Sequence, residues 1–204
     1  MDSILNLMKS RATTRYFSTR SVPEKILRMV VEAGMWAPSG AGIGGTKVVV
    51  LENKDLKSRI RQVCEQMERD WVESQPSSVQ KKIKSMPDYT EGMEYMVRAP
   101  LLLMVTTRPK DPEIPHAIES AFLAVGYMLV MIEGLGLGSL TYTPSIKDEK
   151  YVKQFSEILH LPEGEEIQVI LPLGYAENQD AIKRKKELYN VYKDQYGSKI
   201  EFQD

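Results

Sequence analysis

The sequence contains few of the side chains that cross-link chains or hold transition metals. Its 204 residues include one cysteine, Cys64, and two histidines, His116 and His160. A single cysteine excludes an intrachain disulfide framework and is typical of a reducing compartment. Three such residues are too few for a zinc site rich in nitrogen and sulfur ligands, and no D-x-D-x-D-G calcium loop is present. We therefore predict that the protein has no metal site.

A strong net charge and a long apolar run are also missing. The chain has 27 Lys and Arg residues against 28 Asp and Glu residues, a formal charge of −1, which argues against a surface built for nucleic acid or an anionic membrane. The longest apolar run, residues 121–132, is about half as long as a bilayer span. The N-terminus lacks the basic-then-apolar order of a signal peptide. We predict a cytoplasmic protein that binds neither nucleic acid nor membrane.

Helical and strand patterns alternate along the chain, with few hairpin signals. The periodicity predicts helices at the N-terminus, after Pro23, over 55–72, from Pro115 to Gly134 and over 147–159, and strands over 48–51, 101–105, 139–143 and 167–173. This order favours an α+β fold in which helices flank a mixed central sheet. No repeat or linker divides the chain, so we predict a single domain over 1–204.

Three further features of the chain suggest how it is organised. Segment 74–94 is polar and is interrupted by Pro76 and Pro87, which predicts a mobile lid. Residues 176–204 form a basic C-terminal tail. The helix that contains 121–132 is apolar nearly all round, so we predict that it is buried on every side, by a partner subunit in a homodimer.

Residues 40–45 match the spacing G-x-G-x-x-G of dinucleotide-binding loops. That motif needs a strand before it and a helix after it, so that the helix N-terminus faces the pyrophosphate. Here a helix is predicted before the glycines and a strand after them. We therefore reject a dinucleotide site and predict a loop that needs close backbone approach or a positive φ.

Two basic clusters and one hydroxyl-rich strand end are candidate binding groups. Arg11, Thr13, Thr14 and Arg15 combine two guanidinium groups with two hydroxyls, and 183–186 is a run of basic residues. Each is also typical of a solvated helix end or tail, but together they can neutralise one phosphate. Residues 141–144 are either a ligand rim or an ordinary strand end. No nucleophile elbow or Cys–His spacing is present, which indicates an organic cofactor.

Five segments follow one another in an order that resembles a known family. They are Arg11-Ala12-Thr13-Thr14-Arg15-Tyr16-Phe17, Ala37-Pro38-Ser39-Gly40, Gly134-Leu135-Gly136-Leu137-Gly138, Leu171-Pro172-Leu173-Gly174-Tyr175 and Lys183-Arg184-Lys185. Over essentially its whole length the chain resembles the nitroreductase family of FMN-dependent oxidoreductases. Residues 37–41 and 141–144 look most like the iodotyrosine deiodinase branch. The resemblance implies a nitroreductase-like fold and an intertwined homodimer with two FMN sites at its interface.

The resemblance also implies roles for individual residues. The cofactor-binding residues that it implies are Arg11, Ala12, Thr13, Arg15, Pro38, Ser39, Gly40, Thr141, Tyr142, Thr143 and Arg184. The arginines and Thr13 would hold the phosphate and ribityl chain, residues 38–40 would come from the other subunit, and the Thr143 hydroxyl would bond flavin N5 as the catalytic group. Glu68 aligns with a substrate-binding Glu of the deiodinases, whose Tyr and Lys positions fall near Trp71–Val72 and Met93.

The expected activity is a ping-pong reaction in which NAD(P)H reduces FMN at N5 and a small aromatic or quinone-like acceptor is then reduced on the same face. Two alternatives stay open. One is a reductive dehalogenase of halogenated phenols, similar to the iodotyrosine deiodinases. The other is a flavin-binding protein that catalyses no second half-reaction.

Overall fold

The computed structural model describes residues 2–85, 89, 92–144, 148–177 and 191–200. The helices in these ranges are α1 (Asp2–Ser10), α2 (Glu24–Met35), α3 (Lys54–Glu73), α4 (Ser77–Lys84), α5 (Tyr95–Arg98), α6 (Ala117–Gly134) and α7 (Glu149–Leu159). The strands are β1 (Lys47–Leu51), β2 (Leu101–Thr107), β3 (Gly138–Ser139) and β4 (Glu166–Gly174). A short 3-10 turn, Gly40–Gly42, lies between α2 and β1, which is the order of elements expected around the glycine run.

The four strands form one sheet in the order β1-β2-β4-β3, and every pair of neighbours is antiparallel. The parallel part of the predicted mixed sheet is a single bridge between Thr13 and Ser139. The α+β class is confirmed. The parallel bridge matters for function because it brings the N-terminal segment alongside β3.

Helices cover both faces of this sheet, and β2 is fully buried, with five apolar residues followed by Thr106 and Thr107. Successive side chains of a strand point to opposite faces. Leu102 and Met104 pack on one face with residues of α3, α5 and α7, whereas Leu103 and Val105 pack on the other face with residues of α2 and α6. Two cores therefore share one central strand.

In the single chain helix α6 is buried on one side only, so its burial on every side by a partner subunit stays a prediction. Val125 and Met128 face the core, whereas Phe122, Leu123 and Tyr127 are each 41–47% exposed. Among the described residues, α6 is also the one helix that passes a membrane-span test on length and composition, with 18 residues and a mean hydropathy of 1.5. Core helices of soluble proteins pass the same test.

Three other predictions need correction. The predicted strand 139–143 is shorter, because β3 ends at Ser139 and the chain pairs again only at Tyr142, which bridges to Ile170. The polar segment 74–94 contains the helix α4, whose Val79 and Ile83 are one helical turn apart. The helix predicted over 147–159 begins at Glu149, where the Asp148 carboxylate accepts a hydrogen bond from the Lys150 amide at 2.8 Å.

Candidate active site

A cavity of about 390 Å³ lies where the N-terminal segment, helix α3 and the chain after β3 meet. This volume is in the range of small-molecule and cofactor sites. Its lining consists of Arg11, Thr13, Arg15, Glu68, Ile83, Tyr89, Met93, Tyr95, Leu140, Thr141 and Tyr142. Six of these residues are ones that the sequence predicted for a site: Arg11, Thr13, Arg15, Glu68, Thr141 and Tyr142.

The N-terminal segment reaches the cavity because it is bonded to β3. The Thr14 amide donates to the Ser139 carbonyl at 3.0 Å, beside the bridge from Thr13. A Cβ at Gly138 would overlap the Thr14 side chain, so a glycine is needed for this close approach. In an extended segment alternate side chains point the same way. Arg11, Thr13 and Arg15 therefore face the cavity together.

Tyr142 forms part of the cavity wall and is held firmly at its backbone. It exchanges two hydrogen bonds with Ile170, at 3.0 and 2.8 Å, and its hydroxyl lies 3.5 Å from the Cys64 carbonyl oxygen, to which it donates. Burial raises the pKa of the Tyr142 phenol, and the nearby Cys64 and Glu68 raise it further. The phenol is therefore a neutral hydrogen-bonding group at physiological pH.

Cys64 lies on α3 beneath Tyr142 and is completely buried. Burial raises the pKa of its thiol well above the usual range. A thiol that stays protonated and has no access to solvent is not a nucleophile. Its place in the fold is structural, which agrees with the absence of a Cys–His pattern in the sequence.

The remaining wall comes from α3 and from the segment that was predicted as a lid. Ile83 of α4 lines the cavity, whereas its neighbours Lys82 and Lys84 are exposed to solvent. Tyr89 and Met93 extend this wall, and the Met93 amide donates to the Glu65 carboxylate at 3.2 Å. Part of segment 74–94 therefore covers the cavity, and its mobility stays a prediction.

Several predicted residues lie away from the cavity lining. Ala12 is half-buried, and its carbonyl accepts from the Arg11 guanidinium at 3.4 Å. Thr143 is exposed and does not line the cavity. Arg184 lies outside the described residues, as does the rest of 183–186.

The Pro38-Ser39-Gly40 turn also lies elsewhere, on the first turns of α6. The Gly40 amide donates to the Ser120 hydroxyl at 3.0 Å, and that hydroxyl donates to the His116 carbonyl at 2.7 Å. A Cβ at Gly40 would overlap the Pro115 carbonyl oxygen. The turn is therefore fixed on the helix whose outer face carries exposed apolar side chains.

Leu140 and Tyr95 are lining residues that the sequence analysis did not identify. Leu140 directly precedes Thr141, which the sequence predicted for the site, and this neighbouring position is the one sequence feature that could have identified Leu140. Tyr95 lies in the four-residue helix α5, and no motif marks it. Among the described residues no group of three His, Cys, Asp or Glu side chains is arranged to hold a metal ion.

A comparison with models of protein families shows to which family the chain belongs. The model described as "Nitroreductase family" matches residues 8–175. The chain belongs to the nitroreductase family. The match includes every residue that lines the cavity described above.

Two curated relatives of this nitroreductase-family chain carry names from one branch. The iodotyrosine deiodinase of Thermotoga neapolitana is 31% identical over 181 residues, which cover 87% of this chain and 91% of the relative. The iodotyrosine dehalogenase 1 homolog of Caenorhabditis elegans is 30% identical over 83% of this chain. That relative is longer, since the match covers 53% of it. The resemblance to the nitroreductase family and its deiodinase branch is thereby confirmed.

Solved structures confirm the nitroreductase-like fold. An oxidised iodotyrosine deiodinase bound to FMN and 3-iodo-L-tyrosine superposes with a TM-score of 0.78 at 27% identity, covering 94% of this chain and 98% of that chain. An FMN-dependent nitroreductase from Clostridium difficile R20291 superposes with a TM-score of 0.68 at 20% identity, covering 94% and 99%. At that lower identity the likeness concerns the fold alone.

Proposed function

We propose that the chain is an FMN-dependent oxidoreductase that reduces a small aromatic substrate. The observation that carries this proposal is the distribution of groups around the cavity. Two guanidinium groups and the Thr13 hydroxyl lie together on the N-terminal segment, whereas Tyr89, Met93 and Tyr95 supply an aromatic and apolar wall. A flavin mononucleotide needs both environments, because it joins a dianionic phosphate to a flat apolar ring.

The residues present fit this cofactor. Arginine binds phosphate oxygens through two parallel N–H groups, so Arg11 and Arg15 would hold the phosphate, with Arg184 added from the tail. Thr141 and Tyr142 would line the ring, and Thr143, which follows them in the chain but does not line the cavity of the single chain, would donate to N5. When bound, FMN supplies the electron transfer that none of the protein side chains can perform. The protein contributes orientation, exclusion of water and the hydrogen bonds of these residues.

The proposed enzyme is a homodimer. The exposed apolar side chains of α6, including Phe122 and Tyr127, form a surface that a second copy would bury. The Pro38-Ser39-Gly40 turn is fixed to the same helix through Ser120, so dimerisation through α6 would carry the turn toward the partner's cofactor. We also propose that the protein acts in the cytoplasm and binds no nucleic acid or membrane.

Two reductive activities are candidates. In the first, NAD(P)H reduces the bound cofactor and leaves, and an aromatic or quinone-like acceptor then takes the electrons. In the second, the electrons remove a halogen from a halogenated phenol. The second is favoured by the two relatives at 30–31% identity, which are named as an iodotyrosine deiodinase and an iodotyrosine dehalogenase homolog.

The cofactor assignment is tested by comparing FMN with riboflavin, which lacks the phosphate. Flavin fluorescence quenching should give FMN an affinity about ten- to a hundredfold above that of riboflavin, since charge-assisted hydrogen bonds contribute about 1.5–3 kcal/mol. Arg11→Ala and Arg15→Ala should weaken FMN binding and leave riboflavin binding unchanged. Arg59→Ala, an exposed arginine of α3, is the matched control. Equal binding of FMN and riboflavin would contradict the assignment.

The activity is tested on the FMN complex under anaerobic conditions. Loss of the visible flavin absorbance on addition of NAD(P)H would support the first activity. Oxidised flavin that NAD(P)H does not change, together with release of halide from a 2-halophenol by the dithionite-reduced protein, would support the second. A bound flavin that supports neither reaction would contradict an enzymatic function and indicate a flavin carrier.

A further inference from the structure

Lys57 is a buried lysine of α3 that has no part in the proposed chemistry. The residue is 2% exposed, and its Nζ atom donates to the Ala99 carbonyl at 2.6 Å and to the Pro100 carbonyl at 3.2 Å. A buried amine is costly unless its N–H groups are hydrogen-bonded. Both acceptors belong to the backbone of the turn between α5 and β2, so Lys57 fixes the path of the chain at that turn.

The turn that Lys57 holds is connected to the aromatic wall of the cavity. Ala99 directly follows the last residue of α5, and its amide donates to the Tyr95 carbonyl at 3.0 Å. Tyr95 is the first residue of α5 and lines the cavity. Because α5 is a single helical turn of four residues, a shift at its C-terminal end displaces the whole helix. Lys57 therefore sets the position of this wall relative to α3.

The same turn also contacts the segment that carries the arginines. A Cβ added at Gly174 would lie 2.5 Å from the Pro100 Cδ and 3.1 Å from the Phe17 Cδ1. Both rings therefore pack on Gly174 and leave no room for a side chain there. Phe17 follows Arg15 by two residues and is bridged to Ala176. The turn is thus connected to both sides of the cavity.

We propose that Lys57 is a positioning residue for the flavin: through the Ala99–Pro100 turn it sets the separation between the Tyr95 wall and the arginine-bearing segment. This proposal rests on the proposed function, in which one ligand needs both parts of the cavity. The phosphate of that ligand can pair with Arg11 and Arg15 only when the two parts are correctly spaced. Lys57 does not line the cavity, so it acts on the ligand through the turn alone.

The test compares the affinities of FMN and riboflavin, measured by quenching of flavin fluorescence, in the unaltered protein and in Lys57→Met. Methionine is similar to lysine in length but cannot donate to the two carbonyls. The ratio of the two affinities does not depend on stability, because both flavins bind the same folded fraction. Lys57→Met should reduce the preference for FMN over riboflavin about three- to tenfold, which lies within the range that one hydrogen bond contributes.

Two further variants separate positioning from stability. Gly174→Ala places a methyl group against both Pro100 and Phe17, and should reduce the FMN-to-riboflavin ratio as Lys57→Met does. Val30→Ala is the matched control, because it removes apolar contacts from the core on the opposite face of the sheet. It should lower the urea midpoint and leave the ratio unchanged.

The outcomes distinguish this inference from the proposed function. If the unaltered protein binds FMN no more tightly than riboflavin, the proposed function fails and this inference fails with it. If the unaltered protein prefers FMN and Lys57→Met keeps the same ratio, this inference alone is overturned, as it is if Val30→Ala lowers the ratio equally. If Lys57→Met does not fold, Gly174→Ala provides the same test, and a ratio equal to that of Val30→Ala would overturn the inference.

Discussion

Replacing Gly40 by alanine is a perturbation whose cost follows from the contacts of one backbone position. The added methyl group would overlap the Pro115 carbonyl oxygen and would lie 3.1 Å from the His116 Cβ. A backbone atom cannot move aside as the end of a flexible side chain can. The turn must therefore shift away from α6, and the shift stretches or breaks the 3.0 Å hydrogen bond from the Gly40 amide to Ser120.

Three contributions set the magnitude. Overpacking costs about 1–3 kcal/mol, and the lost hydrogen bond costs about 0.5–1.5 kcal/mol. Alanine also lowers the conformational entropy of the unfolded chain, which stabilises the folded protein by about 0.4–1 kcal/mol and offsets part of this loss. The expected loss in free energy of unfolding is therefore about 2 kcal/mol, and the melting temperature of a chain of this length should fall by about 4–8 °C.

Gly44→Ala is the matched control in the same loop. A Cβ at Gly44 has no neighbour within 4 Å, and its backbone is outside the left-handed region. Urea unfolding at one protein concentration should therefore show Gly44→Ala within about 0.5 kcal/mol of the unaltered protein or slightly more stable. Equal stability of Gly40→Ala and Gly44→Ala would show that the Pro115 contact does not constrain the turn.

Three further variants probe other parts of the molecule. Lys57→Met should destabilise the protein by about 1–3 kcal/mol, because the buried Lys57 ammonium donates to the Ala99 carbonyl at 2.6 Å and its loss leaves a buried acceptor unpaired. Because burial lowers the pKa of Lys57, the unfolded state binds more protons than the folded state just below pH 10.5. The unaltered protein should therefore gain stability relative to Lys57→Met as the pH rises toward 10.5. A difference in unfolding free energy that does not change with pH in urea titrations would refute this. Asp70→Asn should reduce stability at pH 7 and reduce it less below pH 3.8. The hydrogen bond from Tyr151 lowers the pKa of Asp70, and its stabilising effect disappears as the carboxylate becomes protonated. If the substitution shifts the urea midpoint equally at pH 7 and pH 3, this prediction is wrong. Thr143→Ala should shift the reduction potential of bound FMN by about 10–30 mV, the equivalent of one hydrogen bond, with FMN still bound, and an unchanged reductive titration would remove Thr143 from the proposed N5 contact.

Local patterns in the sequence were sufficient for the elements that pack by simple periodicity. The apolar run of β2 and the amphipathic repeat of α3 predicted both elements to within two residues. A strand that is buried on both faces needs consecutive apolar residues, and a helix that is buried on one face needs apolar residues at helical spacing. The end of β3 was predicted too late. Thr141 and Thr143 favour strands, but strand pairing after Ser139 depends on which backbone N–H and C=O groups of β4 can form hydrogen bonds. Within the predicted strand, pairing after Ser139 occurs at Tyr142, which bridges to Ile170.

The candidate site was predictable to the extent that its chemistry lies in recognisable segments. Arg11, Arg15 and Thr141 belong to such segments, and the bridge between Thr13 and Ser139 brings them together. Tyr95 belongs to none, because its place in the cavity depends on how α5 packs against α3. The helix α4 was missed because six of its eight residues are polar or charged and only Val79 and Ile83 are apolar, so tertiary packing decides its structure.

The fully buried Cys64 gives this protein a natural site for a labelling experiment that needs no introduced cysteine. It is the single thiol in the sequence, and it lies under the Tyr142 side chain, against which a cavity wall is built. A thiol reagent in solution can reach it only when α3 separates from the segment after β3. The rate of labelling therefore measures how often the cavity wall opens, and a ligand that fills the cavity should slow that rate in proportion to its occupancy.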